Sequence, residues 1–355
     1  MGYVAIRVNQ EAIENAEALF YHLRTKGNSS APTLDQVAQY FHLLVDRIMS
    51  EGSLYAPKLA ALALLQSAGD TLESAFLLRA YRSTLSRLDY SLPVDTRNMQ
   101  VIRRISAAFK DLPGGQLLGP SLDYSLRLLN FELLEEDTWR RYARSLIEGL
   151  ERIVPIPENL PKLIDILRKE GLVVENVADR SFVDITREPL SLPAKRSAVL
   201  QSLSRGETGG LLLLAYSNMR GYGDIHPTVG ELRVGYLKLE IPHPKGGTIC
   251  VGEVKVTEAE VIARFTSERG EPRFSIGYGL CFGHNETKAI CMAVLDNAIH
   301  FGTGKNPSED QEFVLMHVDG VDSMGFANHY KLPHYVTFQS DLDRLRSMRS
   351  KDGKV

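Results

Sequence analysis

Cysteine is scarce. The 355 residues hold three, Cys250, Cys281 and Cys291, with no CxxC pair. An odd, unclustered set offers no disulfide framework, so a reducing, cytosolic compartment is expected. Long apolar runs are missing as well. The longest aliphatic stretch, LLLLAY from Leu211, falls far short of the roughly 20 apolar residues a spanning helix needs. The opening MGYVAIRVNQ lacks a basic region followed by an apolar one, so no secretory leader is expected and the chain reads as soluble. Nor does one charge dominate. Lys and Arg number 41 against 44 Asp and Glu, a formal −3, which gives no global pull toward nucleic acid or membrane. Any anion site must be a local cluster. There is no internal repeat, no GxSxG nucleophile elbow and no GxxxxGK[ST] P-loop.

What is present suggests an α+β protein of two or three domains, a mainly helical N-terminal half followed by a mixed α/β half with short strands. In residues 1–150, Ile13, Ala16, Phe20 and Leu23 share a helical face. Thr33 and Gln36 have capping-box spacing ahead of Val37, Phe41, Leu44 and Ile48. Pro57 suits a first helical turn and Gly69 a stop. Another helix is expected over TLESAFLLRAYRSTL and another over LDYSLRLLNFELL. The three prolines of RIVPIPENLP, residues 152–161, mark a linker. Residues 151–345 form the second expected domain. There GLVVENV, GGLLLLAY, GELRVGYLKLEI and TICVGEVKV read as strands, and EAEVIARF as a short helix. RFSIGYGLCFG reads as a strand entering a glycine loop, and NETKAICMAVLDNAIHFG as a helix stopped by Gly302. EFVLMHVDGVDSMGF and HYVTFQ read as further strands or loops, and residues 346–355 as a polar tail.

Three segments could carry chemistry. In GYGLCFGHNETKA, Gly277, Gly279 and Gly283 precede a helix that starts near His284, with Lys288 in its first turns. Glycines admit close backbone approach, and a helix start attracts anions. The order GxGxxxG is not the dinucleotide fingerprint, and the same glycines also suit a structural turn. Cys281, inside this segment, reads as a packed thiol. In LLRAYRSTLSRLDY, Arg79 and Arg82 share a helical face; VIRRISAAFKDLPGG adds Arg103, Arg104 and Lys110. Such guanidiniums suit a polyphosphate or phosphonate, or else a solvated face with salt bridges. In HYKLPH, His329 and His334 flank Pro333. The proline rules out one continuous helix, so the pair converges only if the chain bends. Two imidazoles still leave a tetrahedral zinc short of ligands, which a substrate or a second subunit would have to supply. Packed or surface histidines are the alternative.

EGSLYAPKLAALAL, FLLRAYRSTL, RRISAAFKDLPGGQLLGPSLDY, GYGLCFGHNETKAI and HVDGVDSMGFANHYKLPHYVTFQ together resemble the PhnI subunit of the bacterial carbon–phosphorus lyase core complex, from near the N-terminus to about residue 345. The resemblance implies a cytoplasmic enzyme of organic phosphonate catabolism that works on ATP or GTP. Alone, such proteins release the purine as nucleosidases. In the complex they put an alkylphosphonate in its place, giving ribose 1-alkylphosphonate 5-triphosphate. Implied partners are PhnG, PhnH, the radical enzyme PhnJ, and the ATP-binding PhnK and PhnL, with two copies of this subunit. The HxKLPH pair, His329 and His334, would contribute to zinc near the boundary with PhnJ.

Displacement at C1′ passes through an oxocarbenium-like state, which calls for negative charge near the ribose and cations around the triphosphate. Gly279, Gly283 and Lys288, aided by Arg79, Arg82, Arg103 and Lys110, are the expected substrate-binding residues. Glu286 and Asp319 are the expected carboxylates, and His284 an acid or purine donor; Glu286 equally suits a first-turn helix acid. The competing reading is a non-catalytic scaffold that donates two zinc ligands at an interface.

Overall fold

The structure is a computed structural model, and it describes residues 9–125, 127–134, 138–148, 160–174, 182–222, 226–268 and 271–351. In chain order, helices α1 (Gln10–Thr25), α2 (Leu34–Tyr40), α3 (His42–Gly52), α4 (Pro57–Gln66) and α5 (Thr71–Thr84) come first. Strand β1 (Gln100–Ile105) follows, then α6 (Thr138–Glu148), α7 (Leu163–Lys169), α8 (Arg196–Arg205) and α9 (Thr208–Ser217). Strands β2 (Thr228–Pro242), β3 (Thr248–Glu268) and β4 (Glu271–Phe282) lead into α10 (Glu286–Phe301), α11 (Gln311–His317), α12 (Gly320–His329) and α13 (Tyr335–Lys351). The α+β expectation holds. No described helix is long and apolar enough to cross a membrane.

Two compact units result: Met1–Thr84 with Asp319–Val355, and Leu85–Val318. The boundary expected near residue 150, and most of the linker at 152–161, fall outside the described residues.

The first unit is helical. Thr33 Oγ1 accepts from Gln36 N–H while the Gln36 side chain accepts from Thr33 N–H, so the expected capping box starts α2. Pro57 opens α4, and Gly69 follows it in the left-handed region at φ 92°. Val37, Val45, Ile48, Met49, Leu64 and Leu78 form the core here.

The second unit is built on an antiparallel sheet in the order β1-β2-β3-β4. One face is apolar: Leu232, Ala259, Val261 and Cys281 pack with Ala289, Met292, Ala293 and Leu295 of α10. Cys281 is thus the packed thiol expected. Side chains alternate across a strand, so the neighbouring residues Glu231, Arg233, Glu258 and Glu260 share the other face. That face is buried too, and Lys162 lies against it.

Several expected elements change type. GGLLLLAY is helix α9, because Glu207 accepts from Gly209 and Gly210 N–H at 2.7 Å each and so caps a turn, and Leu211 and Ala215, four apart, are buried. EAEVIARF is part of β3; its glutamates, which imitate a solvent-facing helix stripe, occupy the buried charged face. EFVLMHVDGVDSMGF and HYVTFQ are α11, α12 and the start of α13, the first two capped by Asp310 and Asp319. VIRRI, from the half expected to be helical, is strand β1. Within LDYSLRLLNFELL the described residues hold only a short 3-10 turn, Phe131–Leu134. In GLVVENV, Val173 bridges to Phe274, and residues 175–177 fall outside the described set.

Candidate functional site

The expected glycine loop is mostly strand. Gly277 and Gly279 lie inside β4 against α10. A Cβ on Gly277 would stand 1.8 Å from the Ala293 carbonyl oxygen, and one on Gly279 2.1 Å from that of Ala289. These glycines let helix and sheet pack closely. Gly283 alone makes the turn, at φ 75°. Asn285 then caps α10 by accepting from Lys288 N–H at 3.1 Å. The Lys288 side chain is fully buried.

This turn brings His284 and Glu286 together, with His284 Nε2 2.7 Å from Glu286 Oε1. Arg103, on β1, joins them. Its Nε donates to Glu286 Oε1 at 2.6 Å and its Nη2 to Oε2 at 3.2 Å, a two-pronged grip on one carboxylate. Nη1 donates to the Leu118 carbonyl at 2.6 Å, and Nη2 also reaches Asp123. Burial pushes the Glu286 carboxyl up, but the hydrogen bonds from His284 and Arg103 outweigh it and hold the group below its ordinary range. Asp123 is likewise held down by Arg103. The cluster therefore presents an ionised carboxylate and an oriented imidazole. Its cation is already committed to carboxylates, so a phosphate reaches Arg103 only by displacing one. Lys110 is exposed in the following turn, where its carbonyl accepts from Gln116 at 3.2 Å.

The other candidates belong to the first unit. Arg79 Nη1 donates to Asp319 Oδ2 at 2.8 Å and Nη2 to the Glu51 carbonyl at 2.8 Å. Asp319 also caps α12, accepting from Val321 N–H at 3.2 Å. Two residues assigned separate roles by sequence thus hold α5 to α12. Arg82 is half-buried on α5.

His329 ends α12, and His334 immediately precedes α13. The chain does bend between them, and the rings converge to 5.1 Å between centroids. His329 Nδ1 lies 2.7 Å from the Phe326 carbonyl, and His334 Nδ1 2.6 Å from that of Leu332. A carbonyl partner requires a proton on Nδ1, which leaves both Nε2 lone pairs for a metal. The pair offers two imidazole donors on one short stretch of chain. Among the described residues no third His, Cys, Asp or Glu completes a metal site with them.

Sequence reasoning missed the charged face of the sheet. Arg104 Nε donates to Glu231 Oε1 at 2.5 Å; Arg233 grips Glu258 with Nε at 3.0 Å and Nη2 at 2.5 Å. Lys162 Nζ lies 2.9 Å from Glu258 and 2.6 Å from Glu260. The signal was available: Glu258 and Glu260 flank Ala259 in a period-2 run.

The chain belongs to the PhnI family of bacterial phosphonate metabolism proteins, whose family profile matches residues 2–352. It is 54% identical to HtxH of Stutzerimonas stutzeri, covering 99% of this chain and 97% of that protein. It is 45% identical to the alpha-D-ribose 1-methylphosphonate 5-triphosphate synthase subunit PhnI of Rhizobium meliloti, over 98% of this chain and 95% of the relative. To the PhnI of Escherichia coli, which carries the same description, it is 44% identical, over 98% of each chain.

Proposed function

We propose that this chain is the subunit of a carbon–phosphorus lyase assembly that exchanges the purine of ATP or GTP for an alkylphosphonate. A phosphonate oxygen bonds to C1′ as the C1′–N9 bond breaks, and the purine leaves. The product is ribose 1-alkylphosphonate 5-triphosphate. Without its partners the chain would direct water to the same carbon and act as a nucleosidase. The observation that carries this reading is the full-length likeness to relatives named as subunits of a 1-methylphosphonate 5-triphosphate synthase. The Arg103–Glu286–His284 cluster supports it, because an ionised carboxylate beside an imidazole is what an oxocarbenium-like transition state needs at the ribose.

Purified chain incubated with ATP is expected to release free adenine, detected by chromatography. In the same assay Glu286→Gln is expected to slow release by about 10²-fold. No adenine from the wild type removes the nucleosidase reading. Wild-type rates in both Glu286→Gln and Lys288→Ala remove this turn from the catalytic account.

Zinc is proposed to bind His329 and His334 at Nε2, with its remaining ligands from a partner subunit in a cytoplasmic complex of the PhnG, PhnH and PhnJ type. Its chemistry there is structural, because two protein ligands on one chain and the rest on another join the two. His329→Ala is expected to lower the zinc content of the assembled complex, read by elemental analysis, while the isolated chain keeps its adenine release. A full zinc load in that variant rejects the ligand assignment.

A further inference from the structure

The turn that carries His284 is gripped by a hydroxyl from the neighbouring strand. Thr257 of β3 stands opposite Cys281 of β4 and is fully buried. Side chains alternate along a strand, so Thr257 shares the face of Ala259 and Val261, on the side covered by α10. Its Oγ1 donates to the Gly283 carbonyl at 2.7 Å and accepts from the Asn285 N–H at 2.9 Å. Those two groups belong to the peptides on either side of His284. A peptide is planar, so fixing both leaves the His284 backbone little freedom to turn. The backbone in turn limits the rotamers open to the imidazole.

Two further bonds brace the same turn. The Gly283 N–H donates to the Lys255 carbonyl of β3 at 2.8 Å. Asn285 Nδ2 donates to Thr208 Oγ1, at the start of α9, at 3.0 Å.

We propose that Thr257 is a positioning residue for purine displacement: its hydroxyl sets the backbone of His284 so that the imidazole stays on Glu286. This rests on the Arg103–Glu286–His284 cluster being the reaction centre and deepens that reading.

The division of labour supports it. Arg103 of β1 fixes the Glu286 carboxylate with two hydrogen bonds. The ring must then be brought to that carboxylate, and His284 Nε2 lies 2.7 Å from Glu286 Oε1. The turn decides where the ring points, and Thr257 bonds to both of the peptides that define it. Threonine suits the task. It is β-branched and stiff at χ1 in a strand, and one hydroxyl both donates and accepts.

The test replaces the hydroxyl and keeps the volume. Thr257→Val in the full chain is expected to lower kcat for adenine release from ATP by about 10–10²-fold while KM stays within about twofold, since ring placement is lost and nucleotide contacts are not. Thr257→Ser restores the hydroxyl and is expected to recover most of that loss. Thr257→Cys keeps a weaker donor of similar size and is expected to fall between them; it supplies the comparison with serine if valine prevents folding. The second readout needs no ATP. With ¹³C-labelled histidine, the His284 ring cross-peaks, assigned with His284→Gln, are expected to move in Thr257→Val and to return in Thr257→Ser. The peaks of His300, in the last turn of α10, are expected to stay in place in both. A wild-type rate in Thr257→Val overturns the proposal, and so do unmoved His284 peaks. Serine no better than valine, or a shift shared by His300, also overturns it, since the residue then serves general stability. If the wild type releases no adenine, the nucleosidase reading fails, and the ring cross-peaks alone decide whether Thr257 sets His284.

Discussion

Arg104→Met is expected to lower the unfolding free energy by about 3–5 kcal/mol, the range for removing one partner of a buried ion pair. Arg104 and Glu231 are 0% and 1% exposed, so neither charge has water to fall back on. Arg104 does more than neutralise Glu231. It donates to the carbonyls of Pro113 at 2.8 Å, Gly115 at 3.1 Å and Pro161 at 2.6 Å, which ties the 112–117 turn and the start of the α7 segment to β1. Methionine fills similar space and leaves four acceptors unsatisfied. Glu231 also accepts from Leu163 N–H at 3.0 Å, so Glu231→Leu carries a cost of its own. The double variant Arg104→Met/Glu231→Leu is therefore expected to be less destabilised than the two single losses added together. Chemical denaturation of all four proteins gives the coupling energy. A single-variant loss below about 1 kcal/mol would place this pair with surface salt bridges and contradict its burial.

Gly277→Ala is expected to be the most damaging small substitution in the second unit. The added Cβ would meet the Ala293 carbonyl oxygen at 1.8 Å and Asn297 Cβ at 2.9 Å. Neither neighbour is the end of a flexible chain. The obstacle is the backbone of α10, so the helix must shift away from the sheet and loosen the Ala259, Val261 and Met292 core. Overpacking of this kind costs about 1–3 kcal/mol, and a backbone contact belongs at the upper end. Thermal unfolding measures it. Alanine at Gly115 is the control, because there a Cβ meets nothing within 4 Å, although φ 82° still imposes local strain. If the Gly277 variant unfolds no earlier than the Gly115 variant, the close approach of α10 is wrong.

Both predictions bear on how much of this protein was legible beforehand. The Thr33–Gln36 box, Pro57, Gly69, the strand into Gly283 and the helix closed by Gly302 are the same in the sequence and in the fold. Each signal there is local, a cap or a turn whose hydrogen bonds are made within a few residues. GGLLLLAY has the look of a strand and is a helix, while EAEVIARF has the look of a helix and is a strand. A short apolar run carries no period, and the Glu258–Glu260 stripe looked solvated because its partners, Lys162 and Arg233, are far away in sequence. For the candidate site, residue types were legible and their pairing was not. Arg103 and Glu286 are 183 residues apart, and Arg79 and Asp319 are 240 apart. Charges expected to await a triphosphate turned out to hold one another.

By itself the sequence determined the family, the α+β class, the β4–turn–α10 unit and the HYKLPH bend, because contiguous residues encode each of them. Only the tertiary structure decided which charges are spent and which remain. It turned both Nδ1 atoms of the histidine pair onto carbonyls, buried ion pairs on one face of the sheet, and sealed one Glu260 oxygen from solvent without a partner among the described residues. The physical reason is that the protonation and availability of a charged group depend on neighbours brought close by folding, and distance along the chain does not report them.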